Sequence, residues 1–530
     1  MSGATGVTAT WAGVTVTPVT APVLPDEFQA ALTQAGLRHQ ASWSVGPVEP
    51  IGPVAPVGPA GEPVAGVAAD VKAAPAPTMS IRVPRTTGAA VGNVLLIDHG
   101  GAYTWARPQE APRSQQPHEP AVLVSAAAGD VDEAPATDAS FVLSAAELLG
   151  GPPPATNAAA GTEAFGALPH LPHLLHKVIS VFAYPLIAGV ANAVIKDREM
   201  HHHPYELRVI GDTEAADVVA DQLTRQQWES LSGQSCLLLL HGIFGTSRGT
   251  FTGVLDGNPA QSLQSMIPAL RTVYGNRILA FDHPTVSVGP QENAQQFLSR
   301  VPADLPFTFD VLVHSRGGLV ARCIAGGSGL DPQKVTFRKV VFAGTPNDGT
   351  EIAAPGLIAQ LIDRMTSFLH FVPPIGPPGT VAAVLTSVLE VVKVFGQGIE
   401  GGMPGLTDMQ PGSPLMTALN HPATHGQPPP YFEIDADYRP DGSLRWLMRG
   451  FDDVEDDAVF AKAANDVAVP SAGVGETALN AGETVPGPGF PVPETAALHY
   501  PAGVVWHCTY FEQAQTHAHL RDWLLTPPAP

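Results

Sequence analysis

Residues 309–322 read Phe309-Asp-Val-Leu-Val-His314-Ser315-Arg-Gly317-Gly318-Leu-Val-Ala-Arg322. An apolar run of strand character stops at a His–Ser pair, and two glycines then lead into a helix-like segment. This is the layout of a nucleophile elbow, in which a serine on a tight strand-to-helix turn stands above a sheet. A serine hydroxyl is protonated at neutral pH and attacks poorly until a base and backbone donors for an oxyanion surround it. The usual pattern, G-x-S-x-G, has a small residue on each side of the serine. Gly317 meets that need; Val313 does not. Read alone, the stretch also fits a buried strand followed by a helix with Ser315 as its cap.

The flanking sequence carries the other parts. Cys236-Leu-Leu-Leu-Leu240 is a short apolar run with the length of a buried parallel strand, and it ends in His241-Gly-Ile-Phe-Gly-Thr246. A glycine-bearing loop after such a strand turns N–H groups toward an oxyanion, which makes Ile243 and Phe244 candidate donors beside the N–H of Arg316. His241 is expected to shape this loop by hydrogen bonding, since a triad base ahead of the serine does not suit the chain order. Asn276 to Asp282 and Lys339 to Ala343 are further strands running into polar or glycine-rich loops, with a helix-like stretch from Glu292 to Val301. Strand, loop and helix in repetition predict an α/β fold with a parallel sheet and reactive groups beyond the strands' carboxyl ends.

Downstream, several carboxylates qualify as the acid. Tyr431-Phe-Glu433-Ile-Asp435-Ala-Asp437-Tyr438 alternates as a strand, and its carboxylates either offer the acid or simply face solvent. Asn465-Asp466-Val-Ala-Val-Pro470 sets one carboxylate in a short turn, a suitable post for orienting an imidazole. Asp466 is preferred, with Asp437 and Asp435 in reserve, and the acidic run 452–457 is read as a solvated loop. Ala502 to Phe511 reads as a final strand with His507 near its end, positioned to lean over the sheet toward Ser315. His517 and His519 fall in the closing amphipathic segment, Glu512 to Leu525, and are expected at the surface.

With these pieces in order, the segment from about Tyr205 to Leu525 resembles an α/β-hydrolase of the lipase and esterase kind. It is similar to bacterial lipases and to the hydrolase domain of GPI-inositol deacylases. The residues that carry the resemblance are His241-Gly-Ile-Phe-Gly-Thr246, His314-Ser315-Arg-Gly317-Gly318, Gly344-Thr-Pro-Asn-Asp-Gly-Thr350, Leu406-Thr-Asp-Met-Gln-Pro-Gly-Ser-Pro-Leu415, Asn465 to Pro470, and His507 followed by Tyr510-Phe511. The resemblance implies a Ser315–Asp466–His507 triad, an acyl-enzyme, and no metal or cofactor. From Glu351 to Gly405 the chain leaves strand–helix alternation for two apolar helical stretches, an insertion that resembles a lipase lid and implies a lipid or other small-molecule ester with an apolar part. The two other readings are an acyltransferase using the same triad and a catalytically silent fold serving as an interaction module.

At 530 residues the chain exceeds one core. The expected organisation is a small β-rich N-terminal region over 1–125 with a proline-rich spacer at about 45–78, then an Ala/Pro/Gly linker at 126–166. An apolar helical segment at 167–204 follows, and the hydrolase domain runs over 205–530 with its lid at about 351–405. Prolines at 47, 50, 53, 56 and 59 favour polyproline II, a spacer or a ligand for a partner's aromatic groove. A net charge of −22 argues against nucleic acid and anionic membranes as partners. Cys236, Cys323 and Cys508 form no disulfide framework, and the N-terminus lacks the basic start and apolar core of a signal peptide, so a cytoplasmic location is expected. His170, His173 and His176, and the run His201-His202-His203, lack partner ligands at metal-site spacing. Val178 to Ile195 is 18 residues without a charge, at the lower limit of a membrane span; Pro185, Asn192 and small residues favour a packed helix, leaving peripheral lipid contact as the alternative.

Overall fold

The computed structural model describes residues 6–9, 15–20, 22, 24–46, 78–83, 91–99, 103–109, 139–144, 177–185, 191–202, 204–326, 331–332, 334–354, 357–371, 380–396, 403–420, 428–439, 463–477, 490–503 and 505–526. The proline-rich repeat, His170, His173, His176, His203 and the acidic run 452–457 lie outside them. The chain divides into two compact units, one of residues 1–24 and 36–186, the other of 25–35 and 187–530.

The first unit is built of antiparallel strands: β1 (Gly6–Ala9), β2 (Thr15–Val19), β3 (Arg38–Gly46), β4 (Thr78–Val83), β5 (Val91–Asp98), β6 (Tyr103–Ala106), β7 (Ala139–Ser144) and β8 (Lys177–Pro185). They form one sheet in the order β2-β3-β8-β5-β6 and another in the order β1-β4-β7. Trp43, Met79, Leu95, Phe141, Ile179 and Val181 come from both sheets into one apolar cluster, so neither sheet leaves its inner face wet. Two expectations fail here. Residues 177–185 form a central strand, not a helix, because Val178, Ile179, Val181 and Phe182 are β-branched or aromatic and nearly the whole strand is buried, which hides any alternation. The linker expected at 126–166 contains β7, whose Ser-Phe-Val-Leu core is masked by Ala, Pro and Gly on either side.

The second unit centres on an eight-stranded sheet ordered β10-β9-β14-β11-β15-β16-β17-β18. Its strands are β9 (Glu206–Val209), β10 (Val218–Val219), β11 (Ser235–Leu240), β14 (Ile278–Asp282), β15 (Phe307–His314), β16 (Val335–Ala343), β17 (Tyr431–Tyr438) and β18 (Ala497–Gly503); β12 (Gly257–Asn258) and β13 (Leu263–Gln264) make a separate small hairpin. From β14 to β18 all pairings are parallel, and β9 and β10 close one edge antiparallel. Helices cover the sheet, among them Ile267–Tyr274, Pro290–Arg300, Gly317–Ile324 and Ala514–Leu525. Parallel strands covered on both faces need continuous apolar runs: Cys236 to Leu240 are all fully buried, each leucine contributing about 1.5–3 kcal/mol by leaving water. Asp310 interrupts β15 but is held by the Tyr274 hydroxyl at 2.6 Å and by Arg338, so its buried charge is compensated.

After β11 the chain crosses to β14 on one side and then to β15 on the other, placing a topological switch beyond the carboxyl ends of β11 and β15. The insertion holds two helices, Ile358–Phe371 and Thr380–Phe395, which pack on each other; the second also packs on Asp26–Gln34, with Lys393 Nζ donating to Ala35 O at 2.8 Å. Residues 25–35 thus belong to this unit and not to an N-terminal region. The last strand also departs from expectation. It spans Ala497–Gly503, where Leu498 and Tyr500 are buried and His499 is exposed, and Pro501 is tolerated because β18 is an edge. His507 follows in a turn, four residues past the strand. Among the described residues no helix is long and apolar enough to cross a membrane.

Candidate active site

Ser315 stands directly after β15 with φ 53°, and its N–H still joins the ladder by donating to Ala343 O at 2.8 Å. Close packing behind it explains the glycines. A Cβ on Gly317 would lie 2.3 Å from Leu240 O, and one on Gly318 2.3 Å from Thr345 Cγ2. Val313 presents no such conflict. It is still in regular strand, paired with Leu240 and Phe342 and fully buried, so the strain is confined to Ser315. A glycine two residues before the serine is therefore unnecessary in this chain.

The structure brings Ser315, His507 and Asp466 together. Ser315 Oγ is 2.8 Å from His507 Nε2, and His507 Nδ1 is 2.7 Å from Asp466 Oδ2. Asp466 Oδ2 also accepts from the Tyr510 hydroxyl at 2.7 Å, while Oδ1 accepts from Ala468 N and Val469 N at 3.0 and 2.8 Å. With every lone pair on the carboxylate directed at a donor, Nδ1 of His507 must carry its proton and Nε2 is left to accept from the serine. Burial alone would raise the Asp466 pKa; the charge of His507 and hydrogen bonds from His507, Tyr510 and Val469 outweigh it and hold the group below the ordinary carboxylate value. Tyr510, buried against that carboxylate, is pushed well above 10 and stays a donor. Gly344, at φ 56°, makes room for the cluster: its Cβ would come within 2.9 Å of Asp466 Oδ2. The reserve acids sit elsewhere. Asp435 pairs with His499 and Asp437 with Arg439, and Glu433 and Asp435 are buried instead of facing solvent.

The turn bearing Asp466 is strained and braced. Val467 has φ 88°, unusual for a β-branched residue. Its N–H donates to Asn465 Oδ1 at 2.9 Å, and its carbonyl accepts from Arg364 Nη1 at 3.0 Å. Arg364 lies on the first helix of the insertion, so that helix is fastened to the acid's own turn. The non-glycine residues with positive φ among those described are Phe244, Ser262, Ser315 and Val467. Three of these four lie in the site.

The loop after β11 approaches the serine so closely that a Cβ on Gly242 would lie 2.6 Å from Ser315 Cβ. His241 shapes this loop as expected: Nδ1 is 2.9 Å from Gly242 O, and Nε2 accepts from His283 N at 3.2 Å. One expected donor is withdrawn, however. Phe244 N–H donates to Thr285 Oγ1 at 3.1 Å, so it is not available to an oxyanion. Ile243 and Arg316 N–H remain, neither with a protein acceptor among the described residues. Thr285 and Glu199 were not legible in the sequence. Glu199, on the Ala191–His202 helix, accepts from the N–H groups of Thr285, Val286 and Ser287 at 2.9, 2.9 and 2.7 Å, and from Thr285 Oγ1 at 3.3 Å. Thr285 therefore donates to Glu199 and accepts from Phe244, tying a distant helix to the loop beside the serine. Glu199→Gln puts an amide among those donors, and a misplacement near 1 Å costs about 10²-fold. The expected result is kcat lowered by about 10- to 100-fold with KM little changed, and Thr285→Ser retaining more activity than Thr285→Val; equal kcat in all three contradicts the relay.

His314 faces the opposite way from a second base. Nε2 donates to His507 O at 2.7 Å, and burial, with His507 beside it, lowers its pKa to about 3. Its folded pKa is below the unfolded value near 6.5, so its neutrality supports the fold at higher pH, and this contribution is lost as pH falls from about 6.5 toward 3. His314→Gln should flatten the fall of Tm over that interval; an unchanged slope contradicts the assignment. His519 is partly exposed, but His517 is buried, with Nε2 bonded to Phe511 O at 2.9 Å, contrary to the expected surface position. Its helix packs inward on that side. The Cys236 and Cys508 thiols, pushed up to about 12 by burial, offer no competing nucleophile.

Residues 202–525 match a family model described as "Domain of unknown function (DUF7379)". No curated protein matches the chain in sequence. Among solved structures, phospholipase PlaB from Legionella pneumophila is similar at 14% identity and TM-score 0.30, over 46% of this chain and 45% of that one. The chain thus spans less than half the length of that phospholipase. The metagenomic carboxyl esterase MGS0156 is similar at 17% identity and TM-score 0.27 (53% and 66% covered), and the epoxide hydrolase CorEH at 13% and 0.30 (55% and 91%). Likeness at this level establishes neither activity nor substrate.

Proposed function

We propose that this chain, which belongs to the DUF7379 family, is an α/β-hydrolase that cleaves carboxylic esters through Ser315, His507 and Asp466. The observation that carries the reading is the unbroken hydrogen-bond chain from Ser315 Oγ through both ring nitrogens of His507 to Asp466. In the proposed reaction, Ser315 Oγ attacks the ester carbonyl carbon as His507 Nε2 takes the hydroxyl proton. Asp466 holds the imidazole in the tautomer that can accept it and stabilises the imidazolium. The carbonyl oxygen becomes an oxyanion facing Ile243 and Arg316 N–H; each such donor is worth roughly 3–4 kcal/mol of barrier. Collapse breaks the C–O bond, and the proton on Nε2 leaves with the alcohol. Water then attacks the acyl-enzyme with His507 as base, releasing the acid and restoring Ser315.

An ester with a substantial apolar part is favoured by the composition of the insertion and by its attachment, through Arg364, to the turn that carries Asp466. The test is a chain-length series of p-nitrophenyl esters read in the pre-steady state. An initial burst of about one equivalent of p-nitrophenol, with octanoate turned over faster than acetate, is expected. Acetate turned over far better than octanoate contradicts the apolar substrate, and absence of turnover on every ester contradicts the hydrolase.

A further inference from the structure

Away from Ser315, metal-ligating side chains converge at one group found among the described residues: Glu433, Asp435 and His499. Glu433 and Asp435 are two residues apart on β17 and share a face, and β18 sets His499 beside Asp435 in the ladder. Sequence reading could not assemble them, because His499 is 64 residues from Asp435. Asp435 Oδ2 and His499 Nδ1 are hydrogen-bonded, which turns Nε2 to the other side. There Nε2 lies 3.9 Å from Glu433 Oε1 and 3.4 Å from Glu494 Oε2.

Glu433 is the anomaly. It is only 6% exposed, yet among the described residues no hydrogen bond reaches its carboxylate, and the nearest cationic group is His499 at 3.9 Å. Its space is prepared, since a Cβ on Gly475 would fall 1.6 Å from Glu433 Oε2. A buried carboxylate without donors is costly unless a cation compensates it. One half-exposed imidazole stands against two buried carboxylates, Glu433 and Asp435, with the solvent-exposed Glu494 beside it.

We propose that Glu433 Oε1, His499 Nε2 and Glu494 Oε2 bind a divalent cation of the zinc class, with Asp435 orienting His499 through Nδ1. A carboxylate behind a metal-bound imidazole is the common supporting arrangement for such sites. Ligands at zinc distances stand roughly 3.3–3.5 Å apart in a tetrahedron. The 3.4 Å separation already fits and the 3.9 Å one needs slight closure, while Glu494, 90% exposed and outside the group whose ligand atoms lie within 4.8 Å of one another, must swing in to close the third side. The imidazole selects zinc over calcium or magnesium, which prefer all-oxygen sites. Exposed on one side, the site leaves its fourth position to water. The cation clamps β17, edge strand β18 and the 494–496 turn ahead of the segment that carries His507, and takes no part in the ester reaction.

The test uses chelator-stripped full-length protein titrated calorimetrically with ZnCl₂. Because His201-His202-His203 can bind zinc independently, the reference protein carries His201→Gln, His202→Gln and His203→Gln. One equivalent of Zn²⁺ is expected to bind it and raise Tm. In that background Glu433→Gln and His499→Gln should abolish the shift, and Asp435→Asn should weaken binding by about 10- to 100-fold. No zinc-induced shift in the reference protein, or a shift that survives both ligand substitutions, overturns the proposal. X-ray absorption on the zinc-loaded reference protein gives a readout independent of variant folding: a single imidazole among oxygen ligands is expected, and several imidazoles contradict the site.

Discussion

Ser315→Ala lowers kcat on a p-nitrophenyl ester by on the order of 10⁶-fold, the scale on which a triad loses its nucleophile. The size follows from what the substitution removes and what it leaves. Oγ is the atom 2.8 Å from His507 Nε2, and nothing else in the cluster can form the acyl bond, since the neighbouring Cys508 thiol, its pKa pushed up to about 12, stays protonated. Ile243 and Arg316 N–H groups are untouched, so polarisation of the carbonyl persists, and a residual rate about 10³-fold above water is expected. Alanine at φ 53° is strained much as serine is, and the Ser315 N–H bond to Ala343 is a backbone bond that the variant keeps. Thermal unfolding should therefore change little. A loss of less than 10-fold in kcat would place the chemistry on another residue.

Asp466→Asn lowers kcat by about 10⁴-fold with a smaller effect on KM. The asparagine oxygen can still accept from Ala468 and Val469 N–H, which preserves the turn. Its amide nitrogen then occupies the Oδ2 position, facing both His507 Nδ1 and the Tyr510 hydroxyl. A donor meeting the Nδ1 proton forces the other tautomer, in which Nε2 carries hydrogen and cannot take the serine proton. The variant also loses the negative charge that stabilises the imidazolium. Asp435→Asn serves as the contrast. That residue pairs with His499 and does not touch His507, so activity within about twofold of the parent is expected. Equal losses in the two variants would contradict the assignment of the acid.

Much of the sheet was legible because parallel strands are written as uninterrupted apolar runs, and Cys236–Leu240 and Phe309–His314 could hardly be anything else. The site residues were legible for a related reason: loops after such strands carry polar residues that the core has no use for. What escaped the sequence was whatever depends on through-space closure. Lys177–Pro185 looked helical because a strand buried on both faces loses its period of two. Phe244 looked like an oxyanion donor because nothing local reveals that Thr285, brought in from the loop after β14, has already taken its N–H. Glu199 lies on a helix ahead of the sheet, and its role exists only once that helix docks on residues 285–287. Val313 broke the expected pattern for a reason that only the fold reveals, namely that the chain is still regular strand at that point. Glu433, read as solvent-facing from simple alternation, is buried because its face of β17 is covered by the turn at Gly475.

Mapping the adduct of a fluorophosphonate probe tests the central claim most directly, because phosphonylation requires a serine that is deprotonated by its own base as it attacks. Wild-type protein should gain one adduct, located by peptide mass spectrometry on Ser315, and Ser315→Ala should gain none. A wild-type protein that remains unlabelled, or a label that persists in Ser315→Ala, would contradict the account.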